Sequence, residues 1–348
     1  MKKINIDNYI LENYKTKTNA QMALECGCHR STISNKRKKL GISATELNKA
    51  LREKTSYICE MYGRKTAHQI SNELSCSVSF VKKIWEENGL CGTKSTVYSY
   101  KENYFEEIDT PEKAYWLGFI ASDGCLYRRE GHQGMISLSV NEKDVEILDN
   151  FKKELDTAKP ISISTDKRRP NTKMASLQIT GDKIFNDILS LGIGVRKTFD
   201  MELDKIFENI PKKFIFDFIL GYFDGDGSID IPQERGISGS HVRIAAPIKS
   251  LEVFQKILLL YNIESSIIED RRKYSQPFGS LELKNTTEKY CFLKMIYASK
   301  IKSLIRKKER ANILLQRIEE NATNRSENIK AVDFYKSVVL KREELLER

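Results

Sequence analysis

The chain has 348 residues, 40% hydrophobic and 30% charged, enough for two or three domains with cores of their own and unlike a disordered segment. No apolar run follows the basic start MKKINIDNYI, and no stretch approaches the ~20 apolar residues of a membrane span, so a protein without secretion signal or membrane contact is expected, cytoplasmic or organellar. The net charge is +10; residues 1–100 hold 17 Lys+Arg against 9 Asp+Glu and the remainder 41 against 39, which places the excess N-terminally and points to a polyanion there.

An ungapped internal repeat comes first. Tyr9, Ile10, Glu12, Tyr14, Lys17, Thr18, Gln21, Glu25, Cys28, Ser31 and Gly41 recur 48 residues later as Tyr57, Ile58, Glu60, Tyr62, Lys65, Thr66, Gln69, Glu73, Cys76, Ser79 and Gly89. Thr18 with Gln21, and Thr66 with Gln69, fit capping boxes that open a helix of about two turns. That helix ends near Gly27 or Ser75, and another runs from His29 to Leu40, or from Ser77 to Asn88, before a glycine suited to a C-cap. Three short helices per unit, the last two joined tightly, form the helix-turn-helix pattern, whose second helix enters a DNA major groove. Units are expected at residues 1–45 and 46–92. Arg30, Ser31, Ser34, Asn35 and Lys38 would face the groove in the first, and Ser79, Lys82, Lys83 and Glu86 in the second.

The chain's seven cysteines, an odd number, argue against a disulfide framework. Cys26, Cys28 and His29 lie close enough in sequence for a metal knuckle. A second ligand pair at zinc spacing is missing, so they read as small buried hydrophobes. Residues 91–109 lose periodicity, and a linker is expected at 93–109.

Two similar segments then follow 103 residues apart: Trp116-Leu-Gly-Phe-Ile-Ala-Ser-Asp-Gly124 and Ile219-Leu-Gly-Tyr-Phe-Asp-Gly-Asp-Gly227. Thr110-Pro111 and Pro211 start each as an apolar helix, and each closes on an acid and a glycine. Gly118 and Gly221 sit mid-helix, where glycine costs about 1 kcal/mol relative to alanine. Close approach of two helix backbones would justify both, and would set Asp123 beside Asp226 at two negative dipole ends. Such a pair calls for a cation with oxygen ligands, Mg²⁺ (or Mn²⁺), and a metal-bridged acid pair suits phosphodiester hydrolysis.

Over about residues 104–315 the sequence resembles the LAGLIDADG homing endonuclease family in its single-chain, two-motif form. After each motif come strand-like and helical runs in one order: Met135–Val140, Glu142–Leu155, Ile161–Ser164, Ala175–Thr180 and Asp182–Leu191, then His241–Ala246, Lys249–Tyr261, Ser266–Asp270, Ser280–Lys284 and Thr287–Tyr297. The resemblance implies an α+β protein whose pseudo-twofold αββαββα core carries two saddle-shaped antiparallel sheets, preceded by the all-α helix-turn-helix region. Its halves would span 110–200 and 201–318, with a charged helical tail at 319–348 containing a helix over Val332–Leu346.

Carried onto this chain, the resemblance makes Asp123 and Asp226 the catalytic and metal-binding acids, with a basic residue near each. Lys197 fits the first half; Lys307 fits the second, with Lys302 and Lys308 competing. The sixth motif position is Asp224 in one copy and Ala121 in the other, and is not the essential acid. DNA readout would fall on strands and loops at Arg128, Arg129, Lys167, Arg168, Arg169, Arg235, Arg243, Arg271, Arg272 and Lys273, mostly as phosphate contacts. The function implied is a monomeric Mg²⁺-dependent endonuclease cutting both strands of double-stranded DNA at one long site and leaving short 3′ overhangs. Two other uses of such a scaffold stay open: a DNA-binding regulator on a decayed endonuclease, although both acids are kept, and a maturase whose partner is intron RNA.

Overall fold

The computed structural model describes residues 5–14, 17–42, 44–90, 98–166, 169–232, 237, 239–272, 276–321 and 326–347. It contains two compact units, Met1–Tyr100 with Thr157–Lys159, and Lys101–Asp156 with Pro160–Arg348. No described helix is long and apolar enough to cross a membrane.

The N-terminal unit is helical: α1 (Ile6–Asn13), α2 (Asn19–Glu25), α3 (Arg30–Lys39), α4 (Ala44–Glu60), α5 (Ala67–Glu73) and α6 (Val78–Glu87). Both expected capping boxes form, and His29 and Ser77 cap α3 and α6. The turns between α2 and α3 and between α5 and α6 pass through Gly27 and Ser75, both with positive φ (63° and 48°); at Ser75 a side chain takes the left-handed conformation that glycine relieves in the first copy. Ile10, Met22, Ala23 and Ile33 form one small core, and Ile58, Ala67, Ile70, Val81, Ile84 and Trp85 another.

Much of the repeat identity is structural. Lys17 Nζ donates to Tyr9 Oη at 2.8 Å and Glu25 Oε2 at 2.6 Å, and Lys65 repeats this with Tyr57 at 3.0 Å and Glu73 at 2.8 Å. Cys26 and Cys28 pack on the first core, and no group of three metal-ligating side chains occurs among the described residues. The boundary expected at 45/46 falls inside α4. The second copy therefore opens on a 17-residue helix where the first has 8 residues.

The second unit opens with Tyr104, Phe105 and Ile108, all buried, the first two packed edge-to-face near Phe151. The linker expected to reach 109 is thus shorter at that end. These apolar residues follow no helix or strand period, so their role was hidden until a core stood beside them.

The first half comprises α7 (Pro111–Asp123), β1 (Gly124–Tyr127), β2 (Met135–Asn141), α8 (Val145–Glu154), β3 (Ser162–Asp166), β4 (Arg169–Thr180) and α9 (Asp182–Leu191). The helix expected from Glu142 begins instead as a 3-10 turn over Glu142–Asp144. Two short helices follow, α10 (Lys197–Asp200) and α11 (Leu203–Asn209). The second half repeats the order with α12 (Ile215–Asp226), β5 (Gly227–Asp230), β6 (His241–Pro247), α13 (Ile248–Leu260), β7 (Ser266–Glu269), β8 (Phe278–Leu283) and α14 (Thr286–Ile296).

Both sheets are antiparallel with one strand order, β1-β2-β4-β3 and β5-β6-β8-β7. Alternation sets their faces: Ile136, Leu138 and Val140 of β2 point into the core, as do Val242, Ile244 and Ala246 of β6. The protein is therefore α+β with an αββαββα unit used twice. Helix α15 (Ile305–Asn321) runs across the expected boundary at 318/319. Helix α16 (Ser326–Glu347), longer than Val332–Leu346, buries Ala331 and Val338 and sets Tyr335 edge-on to Tyr290 at 5.9 Å.

Candidate active site

Helices α7 and α12 pack at backbone contact, and two glycines allow it. A Cβ on Gly118 would lie 2.9 Å from Tyr222 N and nearer still to Phe218 O; one on Gly221 would lie 2.8 Å from Phe119 N and nearer still to Tyr115 O. Each helix thus lies against a carbonyl of the other, in reciprocal fashion. Further along, a Cβ on Gly225 would meet Ser122 and come within 3.2 Å of Asp123 Cγ, so the end of one helix lies against the acid that closes the other. The seam brings Asp123 and Asp226 together.

Both carboxyls reach solvent, while protein surrounds them on their other sides. Burial pushes Asp226 up to about 6, with the charge of Asp123 adding to the rise and Lys197 and Lys307 opposing it. Asp123 is raised by burial too, against the pull of Lys197, Lys307 and Arg306. Arg306 is itself held by Asp144 at 2.9 Å.

A lysine closes each helix. Lys197 Nζ donates to Ser122 O at the end of α7. Lys307 Nζ donates to Phe223 O, Asp224 O and Gly225 O of α12 at 2.7, 2.6 and 3.1 Å. Cations at these carbonyls complement the negative helix ends. Of the three candidate lysines, Lys307 of α15 is the buried one and reaches the end of α12, whereas Lys302 is exposed and Lys308 lines a cleft of about 300 Å³ beside Asp144. Burial pulls Lys307 down to about 8 and lowers Lys197 as well.

The donors facing the gap are oxygens from two carboxylates of like charge. This suits Mg²⁺ or Mn²⁺, which take one or two carboxylates and complete their shell with water and phosphate oxygens. Like-charge destabilisation of Asp226 by Asp123 is the energy a cation would recover.

The expected DNA contacts have different surroundings within each unit. Arg30, Ser31, Asn35 and Lys38 are exposed on one face of α3, with Ser34 half-buried; Ser79, Lys82, Lys83 and Glu86 are exposed on α6. Arg128 is committed to its own half: it donates to Asp182 at 2.8 Å and Asn186 at 3.0 Å and stacks on Phe185. Arg129 donates to Tyr127 Oη at 2.7 Å. Arg243 reaches across the sheet to Glu282 at 3.1 Å, where His241 also binds. Arg271 and Arg272 are exposed beyond β7, Arg272 bonded to Asp270. Arg169 begins β4, and Lys167, Arg168, Arg235 and Lys273 lie outside the described residues.

Reading the strands for charge alone passed over Ser137, Ser139, Ser176 and Gln178 on the open face of the first sheet, where Ser139 and Ser176 bond at 2.7 Å. Their signal was the alternation with buried Ile136, Leu138 and Val140. Asp224, set aside as inessential, is fully buried and ties three elements together.

Residues 213–319 match the family model described as a LAGLIDADG-like domain, a segment running from the start of α12 through Lys307 to α15. The chain carries a LAGLIDADG-like domain. Its first half, outside the matched segment, repeats the strand order of this domain.

Among solved structures, the meganuclease I-SmaMI bound to uncleavable DNA is similar at 14% identity, over 66% of this chain and 95% of that one, with a TM-score of 0.40. I-DmoI in complex with DNA and Ca is similar at 17% identity, over 61% and 98%, also at 0.40. A curated relative, "Probable translation initiation factor IF-2" of Methanocaldococcus jannaschii, is 26% identical over 178 residues, which make up 49% of this chain and only 14% of that protein.

Proposed function

We propose that this chain is a metal-dependent, site-specific DNA endonuclease of the homing type, complete as a monomer. The observation that carries the proposal is the pair Asp123 and Asp226 at the ends of two helices locked through Gly118 and Gly221, each end closed by a lysine. One chain supplies both acids and both cations, so no second copy is needed to build the centre.

Asp123 and Asp226 would hold the Mg²⁺ or Mn²⁺, which when bound supplies Lewis acidity and lowers the pKa of water. Lys197 and Lys307 set positive charge at the helix ends, where a phosphodiester gains negative charge as it is attacked. The exposed basic faces of α3 and α6 would lengthen the footprint, chiefly through phosphate contacts.

The test is digestion of genomic DNA, from the source organism or a relative lacking the gene, with and without Mg²⁺, followed by sequencing of new ends. Metal-dependent ends at one locus, lost in Asp226→Asn, are expected. Specific DNA binding without new ends would replace the proposal with a regulatory role, and binding of intron RNA with a maturase role.

A further inference from the structure

Asp224 is fully buried in the second motif helix, two residues before Asp226. One of its oxygens, Oδ2, accepts from Tyr115 Oη of α7 at 2.7 Å and from the backbone N–H of Leu304 at 2.8 Å. Leu304 is the residue on which α15 begins: its carbonyl accepts from the N–H groups of Lys307 and Lys308 at 3.1 and 3.0 Å. A single carboxylate thus joins both motif helices to the start of the helix that delivers Lys307. The ammonium of Lys307 then closes the ring on the carbonyls of Phe223, Asp224 and Gly225.

The first half has no such bracket. The residue 103 positions earlier is Ala121, which offers no acceptor, and the counterpart of Tyr115 is Phe218, which has no hydroxyl. Lys197 begins the four-residue helix α10 and donates to one carbonyl, that of Ser122. From this asymmetry we infer that Asp224 is a positioning residue for Lys307, and that the two halves hold their lysines by unequal means. Resting on the endonuclease reading, the inference adds that the two DNA strands depend differently on Asp224. The carboxylate fixes where α15 starts, and that start fixes where the ammonium sits. Ala121 leaves Lys197 to the ordering of its own short segment.

The test gives Asp224 the residue found in the first half. In folded, full-length protein, amine acylation followed by mass spectrometry reads each lysine without requiring any cleavage. In Asp224→Ala, Lys307 should be acylated about tenfold faster or more, the scale of a lost hydrogen bond to a charged group, while Lys197 keeps its rate. Asp224→Asn, which retains an oxygen acceptor for Tyr115 and Leu304, should keep Lys307 protected. If Asp224→Ala does not fold, Tyr115→Phe decides the matter: it removes one of the two bonds, giving the phenylalanine found at its counterpart, Phe218. It should speed Lys307 acylation while Lys197 keeps its rate, an unchanged Lys307 rate overturning the inference. Unchanged Lys307 acylation in Asp224→Ala, or an equal gain at Lys197, overturns it as well.

On the cleaved target, strand-resolved kinetics should show one strand slowed about tenfold or more in kcat with KM unchanged and the other strand spared, and equal slowing of both strands refutes the asymmetry. A wild-type chain that cuts no DNA would sink the endonuclease reading, while acylation would still decide the role of Asp224.

Discussion

Replacing Gly118 or Gly221 by alanine separates two opposing effects. In an isolated helix the change is favourable, by about 1 kcal/mol, because alanine loses less backbone freedom on folding. Here the new methyl would overlap a main-chain carbonyl of the partner helix, Phe218 O in one case and Tyr115 O in the other, and would sit 2.9 or 2.8 Å from a backbone nitrogen. Such a methyl cannot be relieved by a rotamer change, because the obstructing atoms are backbone and cannot swing aside as a side chain can. The helices must move apart, or the seam must tilt.

Overpacking of this kind costs about 1–3 kcal/mol, and more where the backbone itself must shift, so a net loss of about 2–4 kcal/mol is expected despite the propensity gain. For a unit of this size that lowers Tm by roughly 5–15 °C. Metal-dependent cleavage should fall more steeply, because separating the helices also separates Asp123 from Asp226. Thermal denaturation followed by circular dichroism, with a cleavage assay well below the melt, measures both. An unchanged or raised Tm in either alanine variant would refute the close-packed seam, and with it the reason for placing the two acids side by side.

Other consequences can be measured independently. Asp123→Asn should abolish cleavage while leaving DNA affinity within about threefold, and undiminished cleavage would remove Asp123 from the metal site. Deleting residues 1–95 should weaken binding and flatten its salt dependence, by about 0.9 in log–log slope for each phosphate no longer neutralised; an unchanged slope would exclude α3 and α6 from the DNA interface. Asp217, buried in the first turn of α12, is pushed up to about 6 by burial despite nearby Arg342. Because the folded state holds this proton more tightly than the unfolded chain, stability falls as pH rises from about 4 through 6, by up to about 3 kcal/mol. Asp217→Asn should therefore raise Tm at pH 7, with the gain vanishing near pH 4, and a gain independent of pH would discount the carboxyl.

What the sequence alone determined was whatever local rules govern. The capping boxes at Thr18 and Thr66, the helices that end on Asp123 and Asp226, and the alternation in β2 and β6 depend on neighbours a few residues away. Repetition made them legible: the 48-residue offset marked the two helical units, and the 103-residue offset marked the acid pair and its glycines. Tyr9, Lys17 and Glu25 recur for a structural reason, since they bond to one another within each unit.

Tertiary structure decided what depends on distant partners. That Lys307, rather than Lys302 or Lys308, reaches the end of α12 follows from carbonyls 82–84 residues earlier in the chain, which surround its ammonium. Arg128 and Arg243, expected as DNA contacts, each have a carboxylate of their own half beside them, Asp182 and Glu282, which no local pattern announced. Asp224, one of two aspartates in its motif, owes its role to Tyr115, 109 residues before it, and Leu304, 80 after. A charged or polar side chain has the same local signature whether it meets solvent, DNA or a buried partner. Only the fold, by bringing remote segments into contact, determines which of these it meets.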